Sequence, residues 1–162
     1  MYFEASLDTF SILLTSVLTG IILIIVIRNI IAGLNDLVIV FFTLLMVILL
    51  LLPLLYKING YEIDSGKLII DRVAYKIEID IEDVKKVELL NPDDMEHSSR
   101  TFANGGLFGY YGKYKNPKIG AFKMYATQRS NRVLVVLENE DKIVITPDNL
   151  ELYHVLRKMV AI

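Results

Sequence analysis

The stretch FSILLTSVLTGIILIIVI, Phe10 to Ile27, and the stretch LVIVFFTLLMVILLLLPLLY, Leu37 to Tyr56, decide the architecture of this chain, because neither carries a charged side chain. In helical form, at about 1.5 Å per residue, each comes close to the roughly 30 Å hydrocarbon thickness of a bilayer. Two such blocks joined by a short polar link predict a transmembrane hairpin over residues 1–57, with spans at about 10–27 and 37–56. The link, Arg28 to Asp36, holds Asn29, Gly33 and Asn35, residue types that suit a tight connection between antiparallel helices. Both flanks then emerge on one side of the membrane. Glu4 and Asp8 stand where a removable signal would carry basic residues, so the first block is expected to stay as a span. Lys57, Lys67 and Arg72 follow the second block, against Arg28 alone in the link. By the positive-inside rule this places the C-terminal part in the cytoplasm.

Within the first block Ser11, Thr15 and Thr19 recur every four residues, with Ser16 and Gly20 beside them. Such a small-residue stripe lets another helix pack closely, either the second span or another copy of the chain. A proton relay or ion pathway inside the bilayer would need ionisable residues that these blocks lack. Pro53 falls in the last turn of the second block, and Tyr56 with Lys57 marks the interface.

The full chain has 162 residues, a net charge of −2, two His and no Cys. The apolar excess lies in its first third, so residues 58–162 form one ordinary domain with no room for a second. The missing Cys removes disulfides, thiolate metal sites and cysteine nucleophiles.

From Tyr61 the hydrophobic period changes to two. Asp64, Ser65 and Gly66 make a turn; Leu68 to Val73 reads as a strand, and Tyr75, Ile77, Ile79 and Ile81 alternate with Lys76, Glu78 and Asp80 as a half-buried one. After a turn at Glu82 and Asp83, strands follow at Val84 to Leu89, Gly109 to Lys115, Ala121 to Thr127, Val133 to Leu137 and Lys142 to Ile145. Thr146 as cap and Pro147 at the first helical position introduce an amphipathic helix with Leu150, Tyr153, Leu156 and Val160 on its apolar face.

Four runs carry a resemblance: Ile79-Asp80-Ile81-Glu82-Asp83-Val84-Lys85-Lys86-Val87; Arg100-Thr101-Phe102-Ala103-Asn104-Gly105-Gly106-Leu107-Phe108-Gly109-Tyr110-Tyr111-Gly112; Tyr125-Ala126-Thr127; and Ile143-Val144-Ile145-Thr146-Pro147. On these, between about Ile58 and Met159, the chain resembles the bacterial pleckstrin-homology-like domains that follow one or two membrane helices. The resemblance implies a mainly-β fold of about seven antiparallel strands in a bent sheet or barrel capped by one C-terminal helix. It also implies a bacterial plasma membrane as the location, with the chain multi-pass. Such scaffolds host lipid, peptide and protein binding alike.

Two features carry the functional expectation. The run Phe102 to Gly112 has no nucleotide-binding spacing. Gly105 and Gly106 are read as a turn, and Gly109 and Gly112 as a bulge or close backbone approach that bends the sheet. Alternatively the run is an exposed tip that seats Phe102, Leu107, Phe108, Tyr110 or Tyr111 at the bilayer or in a partner's groove. The second feature is the segment 97–137, with seven basic residues (Arg100, Lys113, Lys115, Lys118, Lys123, Arg129, Arg132) and no acidic one; Lys57 to Glu96 has eleven acidic against six basic. Either these charges point in several directions, or some face anionic headgroups together. The candidate contact residues are therefore Arg100, Phe102, Asn104, Gly105, Gly106, Leu107, Phe108, Tyr110, Tyr111, Lys113, Lys115 and Lys118.

Asp93, Asp94, Glu96 and His97 lack the ligand spacing of calcium or zinc sites and read as a solvated loop. No nucleophile elbow or metalloprotease helix is present in the sequence. The expectation is a non-enzymatic membrane-anchored binding or assembly module without cofactor or metal. Its partners would be membrane lipid through the spans and a protein or second copy at the Gly/aromatic run, with lipid orientation through 97–137 as the alternative and no nucleic acid or small-molecule substrate.

Overall fold

The computed structural model describes residues 1–33 and 36–160. Asn35, part of the expected link, lies outside them.

Two apolar helices, α1 (Thr9–Ile31) and α2 (Leu37–Leu51), form an antiparallel pair. Asp8 caps α1 by accepting from Ser11 N at 2.8 Å, and Asp36 caps α2 through Val38 N. A 3₁₀ turn, Leu52–Tyr56, continues α2. Pro53 at its start has no N–H to leave unpaired. Including that turn, both helices are long and apolar enough to cross a membrane, and almost none of either is buried in the fold. Asn29 donates to Thr43 Oγ1 at 2.6 Å, tying the pair together at its far end.

The rest is two sheets and a helix. The first sheet has the order β1 (Tyr2–Glu4), β2 (Ile58–Asp64), β3 (Lys67–Arg72), β4 (Ile77–Asp80). The β2–β3 loop is Ser65-Gly66, both with positive φ (49° and 77°), the backbone a two-residue hairpin turn requires. β1 precedes the apolar helices in sequence yet pairs antiparallel with β2, placing Phe3 opposite Tyr61. The expected division of the chain at residue 57 is thus crossed by a strand from its first residues.

The second sheet is β5 (Val84–Leu89), β9 (Val133–Leu137), β10 (Lys142–Ile145), β8 (Gly120–Ala126), β7 (Gly109–Asn116) and β6 (Ser99–Gly106), in that spatial order. Its pairs are antiparallel except β10 with β8, which run parallel, a departure from the expected all-antiparallel pattern. β6 was not expected as a strand, and with β1 and β2 it raises the total above seven. Helix α3 (Glu151–Val160) closes the fold with Leu152 and Leu156 fully buried.

The main core lies between the sheets and α3, built on Ile58, Tyr61, Leu68, Ile70, Val133, Val135 and Ile145. Tyr61, wholly buried, joins the sheets: its hydroxyl donates to Tyr125 O at 2.7 Å and accepts from Thr146 N at 3.0 Å, and burial raises its pKa. The second face of the large sheet carries its own apolar cluster, Tyr110, Tyr114, Phe122, Met124, Leu134 and Val144 among others.

Thr146 was expected to cap α3. Instead its Oγ1 accepts from Thr127 N at 3.0 Å, and the helix begins at Glu151, whose N–H donates to Asn149 Oδ1. Asp148, in the loop before the helix, holds Ser6 through both carboxylate oxygens and fastens the N-terminal segment to that loop.

Candidate functional site

The Gly/aromatic run forms the β6–β7 hairpin, with Gly106 paired to Gly109 across the turn residues Leu107 and Phe108. The turn is therefore two residues beyond the expected Gly105-Gly106. Gly105 instead lies within β6, opposite Tyr110, and its missing side chain leaves the space filled by the Arg100 guanidinium. A Cβ on Gly112 would collide with the Phe102 and Ala103 backbone, which is the close approach read from sequence.

This hairpin sits between the two apolar helices. On the α1 side, Phe108 N donates to Thr15 Oγ1 at 3.2 Å, and a Cβ on Gly106 would stand 2.9 Å from Phe10 Cε1 and 3.2 Å from Leu14 Cδ2. Tyr110 OH donates to Asp8 at 3.0 Å, and Arg129 Nε donates to the same hydroxyl at 2.9 Å. The Arg129 guanidinium also lies 4.3 Å from the centre of the Phe10 ring. Desolvation is the chief reason the Tyr110 pKa is raised, with Asp8 adding to it.

On the α2 side, Tyr111 OH donates to Pro53 O at 3.1 Å and its ring stacks on Tyr56 at 5.5 Å. Burial is the main cause that pushes the Tyr111 hydroxyl up to about 12. Arg72, only 5% exposed, donates to Tyr56 O (3.2 Å) and Tyr75 OH (2.7 Å), with the rings of Tyr56, Tyr75, Tyr111 and Tyr125 all within 6 Å of its guanidinium carbon. It makes no ion pair among the described residues. The aromatic faces and two oxygens take the place of a carboxylate.

Thus the small-residue stripe of α1 is used at Thr15 by the β6–β7 tip, an occupant other than the two expected for it, while Ser11 is buried. Asn104 links the turn to itself, its side-chain amide donating to Leu107 O and, at 3.3 Å, to Gly109 O.

The basic segment is divided. Lys118 pairs with Asp94 and Lys123 with Asp141, at 3.4 and 3.1 Å. Arg129 faces Asp8 at 4.0 Å, while Arg132 is half-buried with its pKa lowered by desolvation and then by Arg129. Lys113 and Lys115 are exposed on β7 and have no ion pair among the described residues. Phe102 stands 84% exposed on the edge strand β6, opposite Lys113.

Asp94 caps the Pro92–Met95 turn through Asn91 N, at 3.0 Å, which lowers its pKa. The largest groove described is lined by Lys85, Lys86, Asp94, Lys118, Glu140 and Lys142, among others, and its three acids Glu88, Asp94 and Glu140 are engaged by Lys86, Lys118 and Lys85.

Sequence reasoning expected helix packing at Thr15 and a basic face at Arg129, and did not give Asp8 or Arg72 the roles they have here. Only Arg72 left a signal: it continues the inward series Leu68, Ile70, Arg72 of β3, so its burial follows from the period of two. A family model described as bacterial PH domain matches residues 59–158. The searches of curated proteins and of solved structures returned no match.

Proposed function

Because the chain belongs to the bacterial PH domain family, we propose that it is a membrane-anchored, non-enzymatic binding module that offers the open strand β6 and Phe102 to an extended segment of a protein partner. The anchor is the α1–α2 pair, and the module faces the cytoplasm, in keeping with Lys57, Lys67 and Arg72 on its side. The observation that carries this reading is Phe102, 84% exposed in an edge strand that, among the described residues, pairs only with β7. An edge strand presents unpaired N–H and C=O groups, and a large apolar side chain on it supplies the pocket-filling group of strand addition. Phe108, Tyr110 and Tyr111 serve a different end, since the Phe108 N–H bonds to Thr15 of α1, Tyr110 to its cap Asp8 and Tyr111 to Pro53 after α2.

A second reading is favoured by Lys113 and Lys115, exposed on β7 with no acidic partner among the described residues. Near an anionic surface each contributes about 1 kcal/mol. A pair of them orients a tethered domain rather than recruiting a free one. A photo-crosslinking residue placed at Phe102 in native membranes tests both. The partner reading expects a protein adduct from position 102 and none from Ser130, with an adduct of twice the chain's mass identifying the partner as a second copy. Lipid adducts alone would favour the second reading, and no adduct at position 102 contradicts the first.

A further inference from the structure

We infer that the β6–β7 tip, Gly106 to Gly109, is a third membrane-contacting element, a β-turn wedged beside the two apolar helices at the boundary between headgroups and acyl chains. The inference rests on α1 and α2 crossing a bilayer.

Depth follows from the contacts along α1. Tyr110 meets Asp8 at the helix cap and Phe108 meets Thr15, seven residues further in, which is about 10 Å along a helix axis. The hairpin therefore runs alongside α1 with its turn pointing toward the bilayer centre. Segments that lie in the interface bury their apolar side by about 5–10 Å, a comparable depth.

Charge stops where this depth begins. From Thr101 to Gly112 the chain has no charged residue. The Asp8 and Arg129 charges gather at the level of Tyr110, and the Arg100 guanidinium reaches along β6 to cover Gly105, which is paired with Tyr110. On the α2 side Tyr56, Tyr75 and Tyr111 surround Arg72. Tyrosine bodies with cations among them are the composition of an interfacial belt. Beyond this collar the hairpin has Gly106, Leu107, Phe108 and Gly109, with Phe10 and Leu14 of α1 beside Gly106.

The turn is also finished for a place without water. Irregular backbone at membrane depth is tolerated only where protein answers its polar groups. Here Asn104 Nδ2 donates to the carbonyls of Leu107 and Gly109, and Thr15 Oγ1 accepts the N–H of Phe108. A turn in solvent needs no such partners.

The chain has no Trp, so a single introduced one reports its own depth. Full-length Leu107→Trp, Leu44→Trp and Glu138→Trp proteins are reconstituted in phosphatidylglycerol–phosphatidylcholine vesicles brominated near the headgroup end or near the methyl end of the acyl chains. The expected result is that Leu107→Trp loses a large share of its emission to the shallow bromines and resists aqueous iodide. Leu44→Trp responds to the deep bromines, and Glu138→Trp responds to iodide alone. Phe108→Trp, an aromatic exchange in place, is expected to match Leu107→Trp. If Leu44→Trp is quenched by lipid while both tip variants are quenched by iodide as fully as Glu138→Trp, the tip lies in water and the inference is overturned with the spans intact. If Leu44→Trp also escapes bromine, the membrane-crossing reading itself fails.

Discussion

Gly106 has φ +129° and its absent Cβ would meet Phe10 Cε1 at 2.9 Å, so conformation and contact both exclude a side chain. Gly106→Val is expected to destabilise the detergent-solubilised chain by about 2–4 kcal/mol through strain and overpacking. Gly20→Ala, where a Cβ has no atom within 4 Å, should leave the thermal midpoint unchanged or slightly raised. A second residue-scale prediction concerns Tyr111, whose hydroxyl is pushed up to about 12, chiefly by burial. A raised folded pKa means stability that is complete below the ordinary tyrosine value near 10 and is lost as pH climbs through the folded value. Alkaline titration should therefore weaken the hold of Tyr111 on Pro53 above pH 10. Phenolate absorbance should show a late-titrating group that Tyr111→Phe removes, and an unchanged titration in that variant would contradict the assignment. At this scale the run Phe102 to Gly112 was legible as unusual, because glycine and aromatics alternate there. Which glycine did what was not, because Gly105 and Gly106 are alike in sequence and differ in the fold, where Arg100 covers one, while the other has positive φ and lies against Phe10.

Strand β6 escaped sequence reading for a physical reason. Its last residues, Asn104, Gly105 and Gly106, have poor strand propensity, and the register shift between Arg100 and Phe102 breaks the period of two. β9 and β10 were legible to the residue, because Val133 to Leu137 and Lys142 to Ile145 are short apolar runs bounded by turns. The start of α3 was misplaced because Thr146-Pro147 is a good helix opening by local chemistry, but Thr146 is claimed by Thr127 and Tyr61 across the sheets. The exposed edge and the buried tip of the hairpin now predict opposite mutational behaviour. Phe102→Ala should change stability by less than about 0.5 kcal/mol, as for an isolated surface residue, while abolishing the crosslinked adduct expected of its neighbours. Asp8→Ala removes the α1 cap and the acceptor of Tyr110 together, and a loss of about 1–2 kcal/mol in thermal unfolding is expected. A Phe102→Ala protein as unstable as Asp8→Ala would place Phe102 in the fold rather than on its binding edge.

For the whole molecule, the hydropathy pattern made the division into an apolar helical pair and a β domain plain before any coordinates. What hydropathy does not encode is how the two parts hold each other. Asp8, Thr15 and Phe10 from one helix, and Pro53 and Tyr56 after the other, meet the same β-hairpin, a long-range contact that no local pattern announces. β1 adds a further tie, because Tyr2–Glu4 enters the sheet ahead of the first helix, so the β domain holds the chain on both sides of the helical pair. This arrangement restrains the orientation of the domain relative to the helical pair and keeps β6 in a fixed place beside it. Because the native chain has no Cys, its disposition is readable with single cysteines at Ser6, Ile31 and Ser130. In sealed vesicles of one orientation, labelled with a membrane-impermeant maleimide, Ser6→Cys and Ser130→Cys should react from the same side and Ile31→Cys only from the other. Reaction of all three from one side, with the vesicles intact, would contradict the membrane-spanning pair on which the account is built.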